Sequence, residues 1–311
     1  MTKQQWAEDL RKLINPANIK VDESLKKYTM TKLGGNADIF VLPETEEEAV
    51  AVVRYAYIND IPILMLGNGS NMVVRDGGMR GIVVTFAKLN VIRLDGNRIY
   101  AQSGALIIDV SKKAATASLT GLEFACGIPG SVGGAMAMNA GAYGGEIKDV
   151  IVHCAVLTPE GERLVLTKEE LDLGYRKSII AKNGYYVLSA EFGLLPGVQE
   201  EIDAKIADLT FQRESKQPLE YPSAGSVFKR PPGYYAGKLI QDSGIQGNGV
   251  GGAEVSTKHA GFIVNKTGNA TATDYIQTIQ MVQRVVKEKF GVDLELEVKI
   301  VGDDLPRNNV Q

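Results

Sequence analysis

Twenty consecutive residues, Cys126 to Gly145, carry no charged side chain, and seven of them are glycine: Gly127, Gly130, Gly133, Gly134, Gly141, Gly144 and Gly145. Glycine in regular structure costs about 0.5 to 1 kcal/mol per residue in lost backbone freedom, so the segment needs an offsetting gain. A bound phosphate chain or cofactor supplies one, because its anionic oxygens take the backbone N–H groups that a side chain would otherwise shield. A second glycine turn, Leu66-Gly67-Asn68-Gly69-Ser70-Asn71, follows the apolar run Ile61 to Leu66, which reads as a buried strand. The third glycine of a dinucleotide fingerprint is missing, since Met72 stands near its place and Val73-Val74-Arg75-Asp76-Gly77-Gly78 does not read as a helix. A Rossmann site is therefore rejected. Either turn alone fits a tight packing spot as well as a ligand cradle, and the pair together favours a cofactor.

Three further places carry chemistry-bearing side chains. Tyr221 to Pro232 holds Ser223, Ser226, Lys229 and Arg230 between prolines, a stiff polar loop that suits an active site or, equally, serines capping their own backbone. Tyr175-Arg176-Lys177-Ser178 sets a guanidinium beside a phenol, and Arg grips carboxylate or phosphate with two parallel bonds. Glu297 shares a strand face with Glu295 and Lys299, for which the default reading is a solvated face with cross-strand ion pairs. His153 falls in a strand pattern, whereas His259 lies among polar neighbours and is the better ligand contact. Walker, nucleophile-elbow, metalloprotease and zinc-deaminase patterns are absent from the sequence.

Composition narrows the setting. The 311 residues are enough for two domains, and a net charge of −3 with interspersed signs gives no basic stripe for nucleic acid. Two cysteines without a C-x-x-C, two histidines, no apolar signal region and no stretch near the ~18 residues of a membrane span point to a reduced, cytoplasmic protein without a metal.

The elements that must position these residues alternate. A charged N-terminal helical segment (1–20) precedes a strand at Ala37–Leu42; Thr45 and Glu48 form a capping box opening a helix that buries Ala49, Val52, Val53 and Ala56; the strand Ile61–Leu66 completes a βαβ unit. Strands follow at Gly81–Phe86, Val91–Leu94 and Arg98–Ser103, the last two joined through Asp95-Gly96, then a helix from Leu106 to about Leu119. Strands near His153–Leu157 and Tyr185–Phe192 close the first domain, and Pro196-Gly197 marks the boundary, giving 21–196 and 197–311. The second part has an irregular loop at Pro218–Pro232, a short helix at Tyr235–Asp242, a strand at Phe262–Val264 and a helix from Asp274 to Phe290 stopped by Gly291. The strand Asp293–Val301 alternates apolar Leu294, Leu296, Val298 and Ile300 with Glu295, Glu297 and Lys299.

Thr31-x-x-Gly34-Gly35, the turn Leu66 to Asn71, Gly127-Ile128-Pro129-Gly130-Ser131-Val132-Gly133-Gly134, Tyr175-Arg176-x-Ser178, Ala224-Gly225-Ser226-Val227-Phe228-Lys229 and Leu294-Glu295-Leu296-Glu297-Val298 occur in this order. In that order and over nearly its whole length the chain resembles the UDP-N-acetylenolpyruvoylglucosamine reductases, the MurB family. The resemblance implies an α+β protein: a two-part FAD-binding domain of the vanillyl-alcohol oxidase (PCMH-type) fold plus a smaller α+β C-terminal substrate domain. It implies noncovalent FAD, in keeping with the lack of histidine in both glycine turns, with NADPH as reductant and a UDP-sugar enolpyruvyl ether as substrate for peptidoglycan synthesis.

By the same resemblance the cofactor lies against Gly67, Asn68, Gly69, Ser70, Asn71, Gly127, Pro129, Gly130, Ser131, Gly133, Gly134, Asn139, Gly141, Ala142, Tyr143 and Arg213. Arg176 and Glu297 match the pair that holds the substrate carboxylate, Ser226 matches the general acid, and Lys229 is a cation near it. Tyr175, Lys216, Lys229, Arg230 and His259 match substrate-facing positions. Arg230 and Lys299 depart from residues common in the family, and the chain between Tyr175 and Tyr185 is too short for the substrate-covering insertion of one subgroup, so it resembles the shorter subgroup. A monomer is expected. Two other readings stay open at this level: a flavin oxidoreductase of the same fold acting on an alcohol or hydroxy acid, and a nucleotide-binding regulator without turnover.

Overall fold

Thr45 starts a helix: its hydroxyl accepts the Glu48 N–H at 3.1 Å, and the Glu48 carboxylate reaches back to the N–H of Glu44 at 2.7 Å. This reciprocal cap opens the helix Glu46–Ile58, whose Ala49, Val52, Val53 and Ala56 are buried as the 3.6-residue period requires. The flanking strands Asn36–Val41 and Ile63–Met65 are not neighbours, because the sheet order is Ile19–Ser24, Asn36–Val41, Met79–Val84, Ile63–Met65. Met79–Val84 takes the place between them, parallel to Ile63–Met65, and buries its last four residues.

The computed structural model describes residues 1–305. They divide into two units: Met1–Val21, Asp38–Asn68 and Gly81–Arg213 in the first, and Asp22–Ala37, Gly69–Arg80 and the described chain from Glu214 in the second. The expected partition into 1–20, 21–196 and 197–311 differs from this one: residues 1–20 group with the first unit, 22–37 and 69–80 with the second, and the helix Gln199–Lys216 stays with the first unit as far as Arg213. The reason is a run of contacts in step along it. Ser118 donates to Gln199 at 2.7 Å, Lys205 reaches Glu123 at 3.3 Å, and the Thr210 hydroxyl sits 4.0 Å from the Cys126 sulfur. Residues 306–311 of the expected second domain lie outside the described residues.

The first unit has two cores. One packs the N-terminal helix Lys3–Leu10 and the helix Glu46–Ile58 on the four-stranded sheet through Leu10, Val52, Ile39 and Ile82. The other lies under a five-stranded antiparallel sheet ordered Arg163–Thr167, Ile151–Leu157, Tyr186–Gly193, Arg98–Gln102, Ile92–Asp95, and is filled by Ile99, Val110, Met136, Val156 and Phe192. Two local expectations shift here. Asp95 pairs with Arg98, so the hairpin loop is Gly96-Asn97, with Gly96 at φ +52°. The helix after Leu106 spans only Ile107–Thr116, because Ser118 takes φ +53° and Leu119–Thr120 pairs with Leu195–Pro196 instead.

The second unit wraps a four-stranded antiparallel sheet, Ser223–Ser226, Phe262–Asn265, Ala253–Val255, Gly249–Val250, around the helix Ala272–Phe290. Thr271 and Asp274 cap that helix reciprocally, Gly291 closes it at φ +70°, and the Asp76 carboxylate accepts the N–H groups of Ala272 and Thr273, both at 2.9 Å. Its core includes Val73, Val227, Ile263, Tyr275, Val282 and Val298. The expected irregular loop Pro218–Pro232 contains a strand, bulged where Gly225 turns to φ +73°. The expected long strand Asp293–Val301 keeps its alternation, with Leu294 and Val298 buried and Glu295 and Lys299 exposed. Only Lys299–Val301 joins a ladder, parallel to Met72–Val74, because the preceding residues bond to 227–229 instead.

Candidate active site

The two glycine turns, some sixty residues apart in sequence, lie side by side. Asn68 donates its side-chain amide to the carbonyl of Pro129 at 2.6 Å, and a Cβ on Gly67 would fall 2.8 Å from the Ser131 hydroxyl. Ser131 in turn accepts the Gly134 N–H at 3.3 Å and starts the helix Val132–Ala137 inside the long glycine segment. Packing alone accounts for two of the glycines. A Cβ on Gly133 would meet the Ser103 hydroxyl at 2.2 Å, and one on Gly69, at φ +61°, the Tyr28 carbonyl at 2.1 Å. Gly134 is exposed and open to a ligand.

Arg213 supplies the test of whether an anionic dinucleotide fits. Its aliphatic stem lies against Gly127, where a Cβ would be 2.6 Å from Cδ, and its charge faces the neutral side chains of Cys126 and Tyr143. Burial pushes the guanidinium below its ordinary pKa, and among the described residues no carboxylate faces it. A partly desolvated cation without a counter-charge is unfavourable, and an adjacent phosphate or flavin oxygen would offset that cost. The residues present therefore fit FAD, with backbone from both turns and Arg213 as its holders.

Arg176 stands on a tight turn in the same unit. Gly174 and Lys177 exchange N–H···O bonds at 3.1 Å each, Arg176 between them takes φ +53°, and its guanidinium donates to the Gly141 carbonyl at 3.3 Å. Tyr175, half exposed, has that guanidinium 5.1 Å from its ring centre. Ser178 fixes the far side, donating to the Ala137 carbonyl at 2.5 Å and capping the helix Ile179–Asn183. Asn139, expected against the cofactor, is wholly buried, with its amide donating to Glu146 at 2.8 Å and to the Gly174 carbonyl at 2.9 Å. Its side chain is a brace within the protein and has no donor left for a ligand.

The second unit gathers the other candidates. Ser226 is exposed at the end of its strand, and the next residue, Val227, donates to the Gly261 carbonyl at 3.0 Å and accepts the Glu297 N–H at 2.8 Å. Glu297, half-buried, is held from its other side by Asn71, whose amide donates to the Glu297 carbonyl at 3.1 Å. Lys229 is engaged by Glu295 at 2.5 Å, so the ion pair expected of this face falls on Glu295. Arg230 stacks over Tyr235 at 3.9 Å, and Lys216 is exposed at the end of its helix. His259 accepts the Gly261 N–H on Nδ1 at 3.2 Å and meets the Phe262 ring edge-on; burial lowers its pKa, and the accepted bond requires a bare Nδ1.

The sequence reading missed Asn71 as a support of Glu297, and it missed Glu123. Glu123 is 3 % exposed and accepts from Thr120, Gly121 and Lys205. A carboxylate set inside the apolar run Leu122–Ala125 was the available signal, since such a group is buried only with partners.

Comparison with known proteins agrees with this geometry. Residues 217–301 match the family described as UDP-N-acetylenolpyruvoylglucosamine reductase, C-terminal domain, and residues 37–167 match the FAD binding domain family. The UDP-N-acetylenolpyruvoylglucosamine reductase of Geobacillus kaustophilus is 60% identical over 97% of this chain and 99% of its own length. That of Staphylococcus aureus strain Newman is 59% identical over 94% and 95%. Among solved structures, the UDP-N-acetylenolpyruvylglucosamine reductase (MurB) of Thermus caldophilus superposes with TM-score 0.78 at 35% identity, covering 91% of this chain and 98% of its own. A glucose dehydrogenase, Phl p 4.0202, shares the fold of 63% of the chain at TM-score 0.50 and 16% identity, over 44% of its own length.

Proposed function

The chain belongs to the UDP-N-acetylenolpyruvoylglucosamine reductase family, and on that premise we propose that Arg176, Glu297 and Ser226 are the side chains that work on its substrate. The protein is an FAD-dependent oxidoreductase of the vanillyl-alcohol oxidase (PCMH-type) fold. It uses NADPH to reduce the enolpyruvyl ether of UDP-N-acetylglucosamine enolpyruvate to UDP-N-acetylmuramate, a step of peptidoglycan precursor synthesis. The observation that carries this reading is identity near 60% along almost the entire length of both chains.

FAD, when bound, supplies the hydride that it has taken from NADPH. Adding hydride to a carbon–carbon double bond conjugated with a carboxylate drives negative charge onto that carboxylate. Arg176 is assigned to receive this charge, because a guanidinium meets a carboxylate with two parallel bonds and preorganised charge is often the largest catalytic contribution. Glu297 is its acidic partner at the same carboxylate. Ser226 is assigned the proton for the neighbouring carbon; a serine hydroxyl is a weak acid, so it acts only on a strongly basic carbon, and a positioned proton donor contributes about 10² to 10⁴ in rate. Support for these roles comes from the exposed position of Ser226, the bonds that hold Glu297 beside Val227, and the strained turn of Arg176. Tyr175, Lys216, Lys229, Arg230 and His259 are assigned to substrate binding. We read the protein as a cytoplasmic monomer; among the described residues no helix is long and apolar enough to cross a membrane.

An anaerobic titration tests the reading. The purified protein should show a flavin spectrum, bleach with NADPH and recover its colour on adding UDP-N-acetylglucosamine enolpyruvate, and Ser226→Ala should bleach normally but recover far more slowly. Bleached protein that ignores the UDP-sugar would discard the function, and light scattering at twice the chain mass would discard the monomer.

A further inference from the structure

Eight non-glycine residues among those described take positive φ, and two of them share one hydrogen-bond network: Asn139 at +44° and Arg176 at +53°. Such residues cost roughly 1 to 3 kcal/mol each and persist only where their surroundings over-determine them. The surroundings of Arg176 close into a ring. Its backbone lies in the turn whose Gly174 carbonyl accepts from Asn139 at 2.9 Å, and its guanidinium donates to the Gly141 carbonyl at 3.3 Å. Gly141 pairs across a two-stranded ribbon with Glu146, and Glu146 accepts from the second N–H of Asn139 at 2.8 Å. Asn139 also accepts the Lys148 N–H at 2.9 Å, so the amide is saturated except for one lone pair and is wholly buried.

From this ring we infer that Asn139 and Glu146 are positioning residues for Arg176: they fix its turn and its guanidinium against the Gly141–Glu146 ribbon before substrate arrives. The inference rests on the assignment of Arg176 to the substrate carboxylate. Both ends of the arginine are tethered, backbone through Asn139 and head group through the ribbon that carries Glu146. Lys148 lies 2.8 Å from Glu146, and the charge of Arg176 also acts on that carboxylate. Arginine has several kinetically free rotamers on an exposed turn, and fixing one removes an entropic loss from the chemical step. Asn139 touches neither cofactor nor substrate in this scheme, in contrast to its expected role.

The test uses the holoenzyme and separates the two half-reactions by stopped flow. Asn139→Ala and Glu146→Ala should each slow reoxidation by the UDP-sugar about 10-fold or more, as misplacement of a positioned group does. Bleaching by NADPH and the flavin spectrum should be unchanged, and in an Arg176→Ala background neither substitution should slow reoxidation further. Glu146→Gln, which keeps an acceptor for Asn139, should restore most of the rate lost in Glu146→Ala, and this pair decides the matter if Asn139→Ala fails to fold. Equal slowing of both half-reactions, or a full additional loss in the Arg176→Ala background, would overturn the positioning role while leaving Arg176 in place. Unimpaired reoxidation by Arg176→Ala alone would remove the Arg176 assignment, and the inference with it.

Discussion

The side-chain amide of Asn71 donates to the backbone carbonyl of Glu297 at 3.1 Å, across 226 residues of sequence. Asn71 ends a glycine turn of the cofactor-binding pattern, and the strand it leads into, Met72–Val74, runs parallel to Lys299–Val301 just beyond Glu297. On the other side, the Glu297 N–H bonds to the Val227 carbonyl, one residue from Ser226. Asn71→Ala removes one hydrogen bond of about 1 kcal/mol and frees one end of Glu297. Its flavin content should stay near one per chain while kcat falls more than KM rises; loss of FAD with unchanged kcat per bound flavin would return Asn71 to the cofactor.

Gly133 is required by packing. A Cβ there meets the Ser103 hydroxyl at 2.2 Å but the Ser103 Cβ only at 3.4 Å. Gly133→Ala should destabilise by about 1 to 3 kcal/mol, as overpacking of a tight site does, and Ser103→Ala in the same chain should restore most of it. Thermal unfolding of the apoprotein reads this, and a single variant as stable as wild type would show that a ligand, not packing, selects the glycine.

His259 makes stability depend on pH. Burial depresses its pKa in the folded state, so between the free value near 6.5 and the lower folded value the unfolded chain binds more protons. The folded state therefore loses stability as pH falls through that window and gains nothing further above it. His259→Gln should flatten this part of the urea-midpoint profile from pH 7 downward; an unchanged slope would mean that the imidazole charges freely in the folded protein.

Glu123 ties the segment before the glycine loop to the helix that carries Arg213. Burial pushes its carboxyl up, but the Thr120 hydroxyl, the N–H of Gly121 and Lys205 outweigh this and leave its pKa lowered, so its contribution to stability is lost as acid protonates it. Glu123→Ala strands two donors and should cost about 2 kcal/mol or more, with weaker FAD retention on dilution, whereas Lys205→Met, on a largely exposed ammonium, should cost under about 1 kcal/mol. Equal losses from both, measured by urea unfolding, would refute this ordering.

Much of the fold was legible in the chain. The cap at Thr45, the buried stripe Ala49 to Ala56, the stop at Gly291 and the alternation from Leu294 to Ile300 all appear where local periodicity and capping chemistry put them. These signals are local, because each depends on residues within a turn or two. The order of the glycine turns and the Arg176, Ser226 and Glu297 motifs was also enough to identify the family. Tertiary structure decided which strand lies between Asn36–Val41 and Ile63–Met65, which glycines make room for Ser103 and Tyr28, and that Asn139 and Asn71 brace other residues. An asparagine has the same four hydrogen-bonding valences whether it faces a cofactor or a distant carbonyl, and only the packing of segments far apart in sequence selects its partner.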